Sequence, residues 1–127
     1  MKNRKVILSV DDEKIVLDSL RSMFRRHFWR EYELEFAESA EEAFEIIEEI
    51  ESTGDSLFAI VSDWLMPKMK GDEFLQKVME NRENVRTIIL SGQADDRAIQ
   101  EAMAQTHLDY FISKPWDEED LIEKIRS

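Results

Sequence analysis

Three acidic residues, a serine and a lysine stand where short apolar runs stop. Val6-Ile7-Leu8-Ser9-Val10 ends at Asp11 and Asp12, and Leu57-Phe58-Ala59-Ile60-Val61-Ser62 ends at Asp63. Thr87 to Leu90 ends at Ser91-Gly92, and Tyr110-Phe111-Ile112 ends at Ser113-Lys114-Pro115. Brought together, three carboxylates repel one another and raise one another's pKa values. A hard divalent cation removes that conflict. Magnesium suits such a pocket, because it takes oxygen ligands in octahedral geometry and keeps several waters. One or two carboxylates plus a phosphoryl oxygen would complete its shell. Each residue alone has a plainer reading: Asp11-Asp12 as a helix N-cap, Asp63 as a loop acid, Lys114 as a surface charge. The chemistry depends on all of them sharing one end of one sheet.

The elements that would position them are legible. The five apolar runs, counting Glu33 to Ala37 as a weakly alternating second strand, alternate with helix-period segments. Residues 13 to 29 carry Val16, Leu20, Phe24 and Phe28 at one-turn spacing. Ser39 and Glu42 form a capping box ahead of Ala43, Phe44, Ile47 and Ile50, and Thr53-Gly54-Asp55 ends that helix. A loop with Pro67 and Gly71 precedes a helix using Phe74, Leu75 and Val78. A fourth helix is expected around residues 95–104. Asp117 begins a last one with Leu121, Ile122 and Ile125. Strands alternating with helices predict an α/β fold, a five-stranded parallel doubly wound sheet covered on both faces. Order 2-1-3-4-5 is the natural arrangement, and ligands then bind beyond the carboxyl ends of strands, at the switch between the first and third.

The chain has 127 residues, enough for one domain spanning 1–127, and no linker or repeat divides it. It has no cysteine, which removes disulfides, zinc–thiolate sites and thiol catalysis. No apolar run is long enough to span a bilayer, and the start of the chain lacks the pattern of a signal peptide. A cytoplasmic protein is expected. The net charge of −12 disfavours nucleic acid and anionic membranes as partners. Charge is uneven: Arg21, Arg25, Arg26 and Arg30 cluster just before a stretch, up to Lys68, that has no Lys or Arg. A solvated basic face beside an acidic one accounts for this; the alternative is a basic patch that docks a protein. Trp29 and Trp116 are expected to pack, and Trp64 either shields the pocket or packs on its loop.

Asp11-Asp12, Asp63 with Pro67 and Gly71 downstream, Ser91 and Lys114-Pro115 together resemble the receiver domain of two-component response regulators, over essentially the whole chain. The resemblance implies a flavodoxin-like three-layer sandwich. It implies that Asp63 accepts a phosphoryl group from a sensor histidine kinase or phosphotransfer protein. It makes Asp12, Asp63 and the backbone carbonyl of Leu65 direct Mg2+ ligands, with Asp11 holding the ion through water. Lys114 would pair with phosphoryl oxygens, and Ser91 would bond one after transfer. Ser91 and Phe111 would form the switch that alters the surface of the fourth helix, the fifth strand and the last helix for an effector domain or protein. A homodimer through that surface is plausible in the family. It further implies a cis Lys114–Pro115 bond and a signalling module with self-catalysed phosphorylation and dephosphorylation in place of a conventional enzyme. Ser91 stands where threonine is commoner, and Phe111 where tyrosine is.

Two other classes would require different residues after the first strand. A magnesium-dependent phosphatase or phosphotransferase of haloacid-dehalogenase type would carry D-x-D after the first strand and a large cap. A flavodoxin-like binding protein would need a Ser/Thr/Gly-rich phosphate loop where Asp11-Asp12-Glu13 stands. The stop at Ile125-Arg126-Ser127 is read as a receiver excised from a longer protein.

Overall fold

The computed structural model describes residues 3–92, 97, 101, 104 and 108–127. Five strands form one parallel sheet: β1 (Lys5–Val10), β2 (Glu33–Ala37), β3 (Ser56–Asp63), β4 (Arg86–Ser91) and β5 (Tyr110–Ser113), in the order β2-β1-β3-β4-β5. Four helices are labelled among the described residues: α1 (Lys14–Phe28), α2 (Ala40–Ser52), α3 (Gly71–Met79) and the last helix, α4 (Glu118–Arg126). The expected α/β order holds and each strand lies within one residue of its expected bounds, with Asp63 and Ser91 as the last residues of β3 and β4. Of the helix expected around 95–104, Arg97, Glu101 and Ala104 are helical, and the remainder lies outside the described residues.

Strand side chains alternate between faces, so an apolar run must be buried on both. Val6, Leu8 and Val10 pack under α2 and α3 with Ile47, Phe74, Leu75 and Val78. Ile7 points the other way, to α1 and α4, where it meets Phe24, Phe28, Leu121 and Ile125. A bulge shifts the β1–β3 register between Val6 and Ile7, so that Val6 pairs with Leu57 and Ile7 with Ala59. Phe58 is the extra residue.

The capping box at α2 forms. Ser39 is extended (φ −153°, ψ 162°), and its Oγ accepts the Glu42 N–H at 3.1 Å. Glu42 returns the contact one residue earlier than expected, accepting the Glu38 N–H at 2.9 Å. Ser39→Ala is expected to cost about 1 kcal/mol. Urea unfolding should show a lower midpoint with an unchanged slope; an unchanged midpoint would remove the cap from the argument. Asp117 does occupy the N-cap of α4, but its carboxylate makes no capping hydrogen bond.

Candidate functional site

Strand register puts the key residues at one level. Val10 pairs with Ser62, so Asp11 emerges beside Asp63. Asp63 pairs with Leu90, leaving Ser91 one step further, and Ser91 pairs with Ser113. Lys114 follows at once, its backbone N–H donating to the Ser91 carbonyl at 2.8 Å. The Lys114–Pro115 bond is cis, as expected.

Two carboxylates share one ammonium. Lys114 Nζ donates to Asp11 Oδ2 at 2.9 Å and to Asp63 Oδ1 at 3.0 Å. Asp11 is 1% exposed, and its Oδ1 accepts the Glu13 N–H at 2.8 Å. Asp12 is exposed at the mouth. One carboxylate oxygen from each of Asp11, Asp12 and Asp63 lies within 4.8 Å of the others. This all-oxygen, strongly anionic set fits a hard cation. Asp12, Asp63, Leu65, Ser91, Gly92 and Lys114 line an open cleft of about 400 Å3.

Burial pushes the Asp63 carboxyl up to about 6; the Asp11 and Asp12 charges add to the rise, and the hydrogen bond and charge of Lys114 oppose it. Burial alone would favour neutral Lys114. Its hydrogen bonds to Asp11 and Asp63 and their charges outweigh that, leaving its pKa above the ordinary lysine value. With Asp12 included, three carboxylates face one ammonium, so the cluster keeps an excess of negative charge.

Gly71 carries a role that its place in the motif did not reveal. A Cβ there would sit 2.1 Å from the Asp63 backbone oxygen and 3.3 Å from Ser62 Oγ. The Gly71 N–H donates to the Trp64 carbonyl at 2.8 Å, folding the loop back onto the end of β3. Close approach, not an unusual φ, requires glycine. Trp64 is buried in the core with Phe74 and Leu75, so it packs and does not roof the cleft. Phe111 is half-buried and packs against the same cluster. Trp29 corrects the expectation: α1 ends at Phe28, Trp29 leaves the helix at ψ 123°, and the indole is 67% exposed.

Comparison with known proteins agrees along the whole chain. The family model of the response regulator receiver domain matches residues 7–126. The hydrogenase transcriptional regulatory protein HoxA of Bradyrhizobium diazoefficiens is 29% identical over 99% of this chain, which corresponds to 24% of that protein. The chain therefore spans about a quarter of the length of the hydrogenase regulators it matches. A CheY-like receiver domain protein from Methanospirillum hungatei has a similar structure: TM-score 0.81, 30% identity, covering 98% of this chain and 92% of that one. The signal receiver domain of an HD domain-containing protein from Pseudomonas fluorescens gives TM-score 0.82 at 25% identity, covering 98% and 93%.

Proposed function

Because the chain belongs to the response regulator receiver domain family, we propose that it is a phosphorylation switch with Asp63 as acceptor. Receiver domains are phospho-accepting signalling modules of two-component systems. The observation that carries the assignment of residues is the Lys114 ammonium held between Asp11 and Asp63. Asp63 Oδ attacks the phosphorus of a phosphohistidine, the P–N bond breaks, and the imidazole leaves with the electron pair and takes up a proton. The nucleophile must be ionised, and a carboxyl titrating at about 6 is mostly so at neutral pH. Lys114 neutralises the incoming phosphoryl oxygens, and the Ser91 hydroxyl donates to one of them after transfer. Asp12, Asp63 and the Leu65 carbonyl would hold magnesium directly, with Asp11 behind a water; when bound, the ion supplies further charge neutralisation at the phosphoryl group.

The same residues would serve self-catalysed dephosphorylation, with water as the attacking group in the cleft left open by Gly92. Ser91 and Phe111 form the switch, and the face that includes β5 and α4 carries the change to an effector, with dimerisation through that face as one route. A sensor histidine kinase or phosphotransfer protein supplies the phosphoryl group, and the domain works in the cytoplasm as one module of a longer protein. Among the described residues no helix is long and apolar enough to cross a membrane. The haloacid-dehalogenase-like alternative loses support, since the receiver family accounts for residues 7–126.

Intact-mass spectrometry after incubation with acetyl phosphate and magnesium tests this reading. The expected result is a gain of roughly 80 Da that disappears with chelator and in Asp63→Asn. An adduct that persists in Asp63→Asn would move the acceptor elsewhere, and no adduct on the parent chain would make it a receiver-shaped binding module.

A further inference from the structure

A groove of about 680 Å3 runs beside the edge strand β2, between the carboxyl-terminal half of α1 and the start of β1. Lys5, Arg21, Arg25, Trp29, Arg30 and Tyr32 are in its wall. The two carboxylates in the lining are already engaged, Glu33 with Arg4 and Glu31 with Arg126. Lys5, Arg21, Arg25 and Arg30 have no carboxylate partner among the described residues. Three of these cations rest on aromatic faces: Arg21 4.3 Å from the Phe36 centroid, Arg30 4.3 Å from Trp29, and Lys5 5.4 Å from Phe58.

That is unexpected in a chain with 29 acidic and 17 basic residues. Elsewhere cations find carboxylates, as Arg82 does with Glu51 and Arg26 with Glu118. The groove is a local reversal of the net charge. A guanidinium stacked on a ring keeps its charge and its N–H edge free for a carboxylate. Complementing the carboxyl end of α1 accounts for Arg25, but not for Arg21, farther from that end, or Lys5 on β1. Exposed Trp29 and half-buried Tyr32 beside arginines match the residue types enriched at interface hot spots.

We infer that this groove docks an acidic segment of a partner protein, with carboxylates on Arg21, Arg25 and Arg30 and an apolar anchor against Trp29. A compact phosphate fits less well, because it could meet the cations but would leave the exposed Trp29 indole uncovered, whereas a segment carrying an apolar side chain covers both. A second copy fits less well too, because two chains of net charge −12 repel. The inference does not depend on Asp63.

Fluorescence anisotropy tests it, using a labelled twelve-residue glutamate peptide with phenylalanine at every fourth position. The full chain should bind saturably at about 20 mM salt and roughly tenfold more weakly at about 200 mM. A glutamine version should bind at least roughly tenfold more weakly, and so should the glutamate peptide to the Arg21→Glu/Arg25→Glu variant. Arg26→Glu, whose parent side chain pairs with Glu118 and does not line the groove, should stay within about twofold. Should the double reversal fail to fold, Arg21→Gln carries the same comparison. Equal binding of the two peptides, no binding, or equal loss in Arg26→Glu overturns the inference. So does displacement of the peptide by ADP at lower concentration, which would make the groove a small-anion site. Groove-dependent self-association in sedimentation would replace the partner with a second copy.

Discussion

With magnesium chelated, Asp63→Asn is expected to resist urea better than the parent chain at about pH 7.5, by up to about 3 kcal/mol. The carboxyl is pushed from 3.8 in the unfolded chain to about 6 in the folded one, chiefly by burial. A raised carboxyl pKa favours the protonated form in the native state. Its contribution to stability is therefore full below about pH 3.8 and is lost as pH rises through about 6. Above that, the ionised group destabilises the fold by about 1.36 kcal/mol for each unit of the shift. Asparagine removes the charge while its amide oxygen can still accept from Lys114. The advantage of the variant should thus shrink from neutral pH towards pH 4. An advantage that grows with acid, or its absence at neutral pH, would contradict the assigned environment. Saturating magnesium should stabilise the parent chain and narrow the gap from the other side.

Gly71→Ala should be the most damaging methyl addition near the site. The new Cβ would meet the Asp63 backbone oxygen at 2.1 Å, and that oxygen belongs to a strand end held between β1 and β4. Either α3 backs away or the end of β3 shifts. Overpacking of this kind costs typically 1–3 kcal/mol, and a clash with backbone places it at about 3 kcal/mol or more. Displacing the acceptor by even about 1 Å should also slow phosphorylation by acetyl phosphate by roughly 100-fold. The two readouts, urea midpoint and adduct formation rate, should both fall. A variant with parent-like stability and rate would mean that the loop yields freely, and the close approach would lose its significance.

The strand ends were legible because the interior of a doubly buried strand carries apolar and small hydroxyl residues but no charge, so the next charged residue marks where the sheet meets solvent. Asp11-Asp12 after Val10, Asp63 after Ser62 and Lys114 after Ser113 follow from that rule, and parallel pairing brings them to one level. The burial of Asp11 was not legible, since adjacent residues point in different directions and only the packed fold shows Asp11 enclosed against Lys114 while Asp12 stays exposed. Nor was the double contact of Lys114, which joins residues 103 apart on one side and 51 on the other. Trp29 was expected to pack at the end of the helix read over 13 to 29, but the helix stops one residue earlier and the indole faces outward. The engagement of Gly71 with Asp63 depends on how a loop folds back, which hydrophobic periodicity does not encode.

The bridge from Lys114 to Asp11 also has a consequence for the making of the protein. Its ends are 103 residues apart. At ordinary rates of translation, roughly 5–20 s separate the appearance of the first partner from that of the second. During that interval Asp11, and later Asp63, emerge from the ribosome without the ammonium that will sit between them. The pocket is among the last features of the nascent chain to be completed, so an unfinished receiver has no assembled site to offer a phosphodonor.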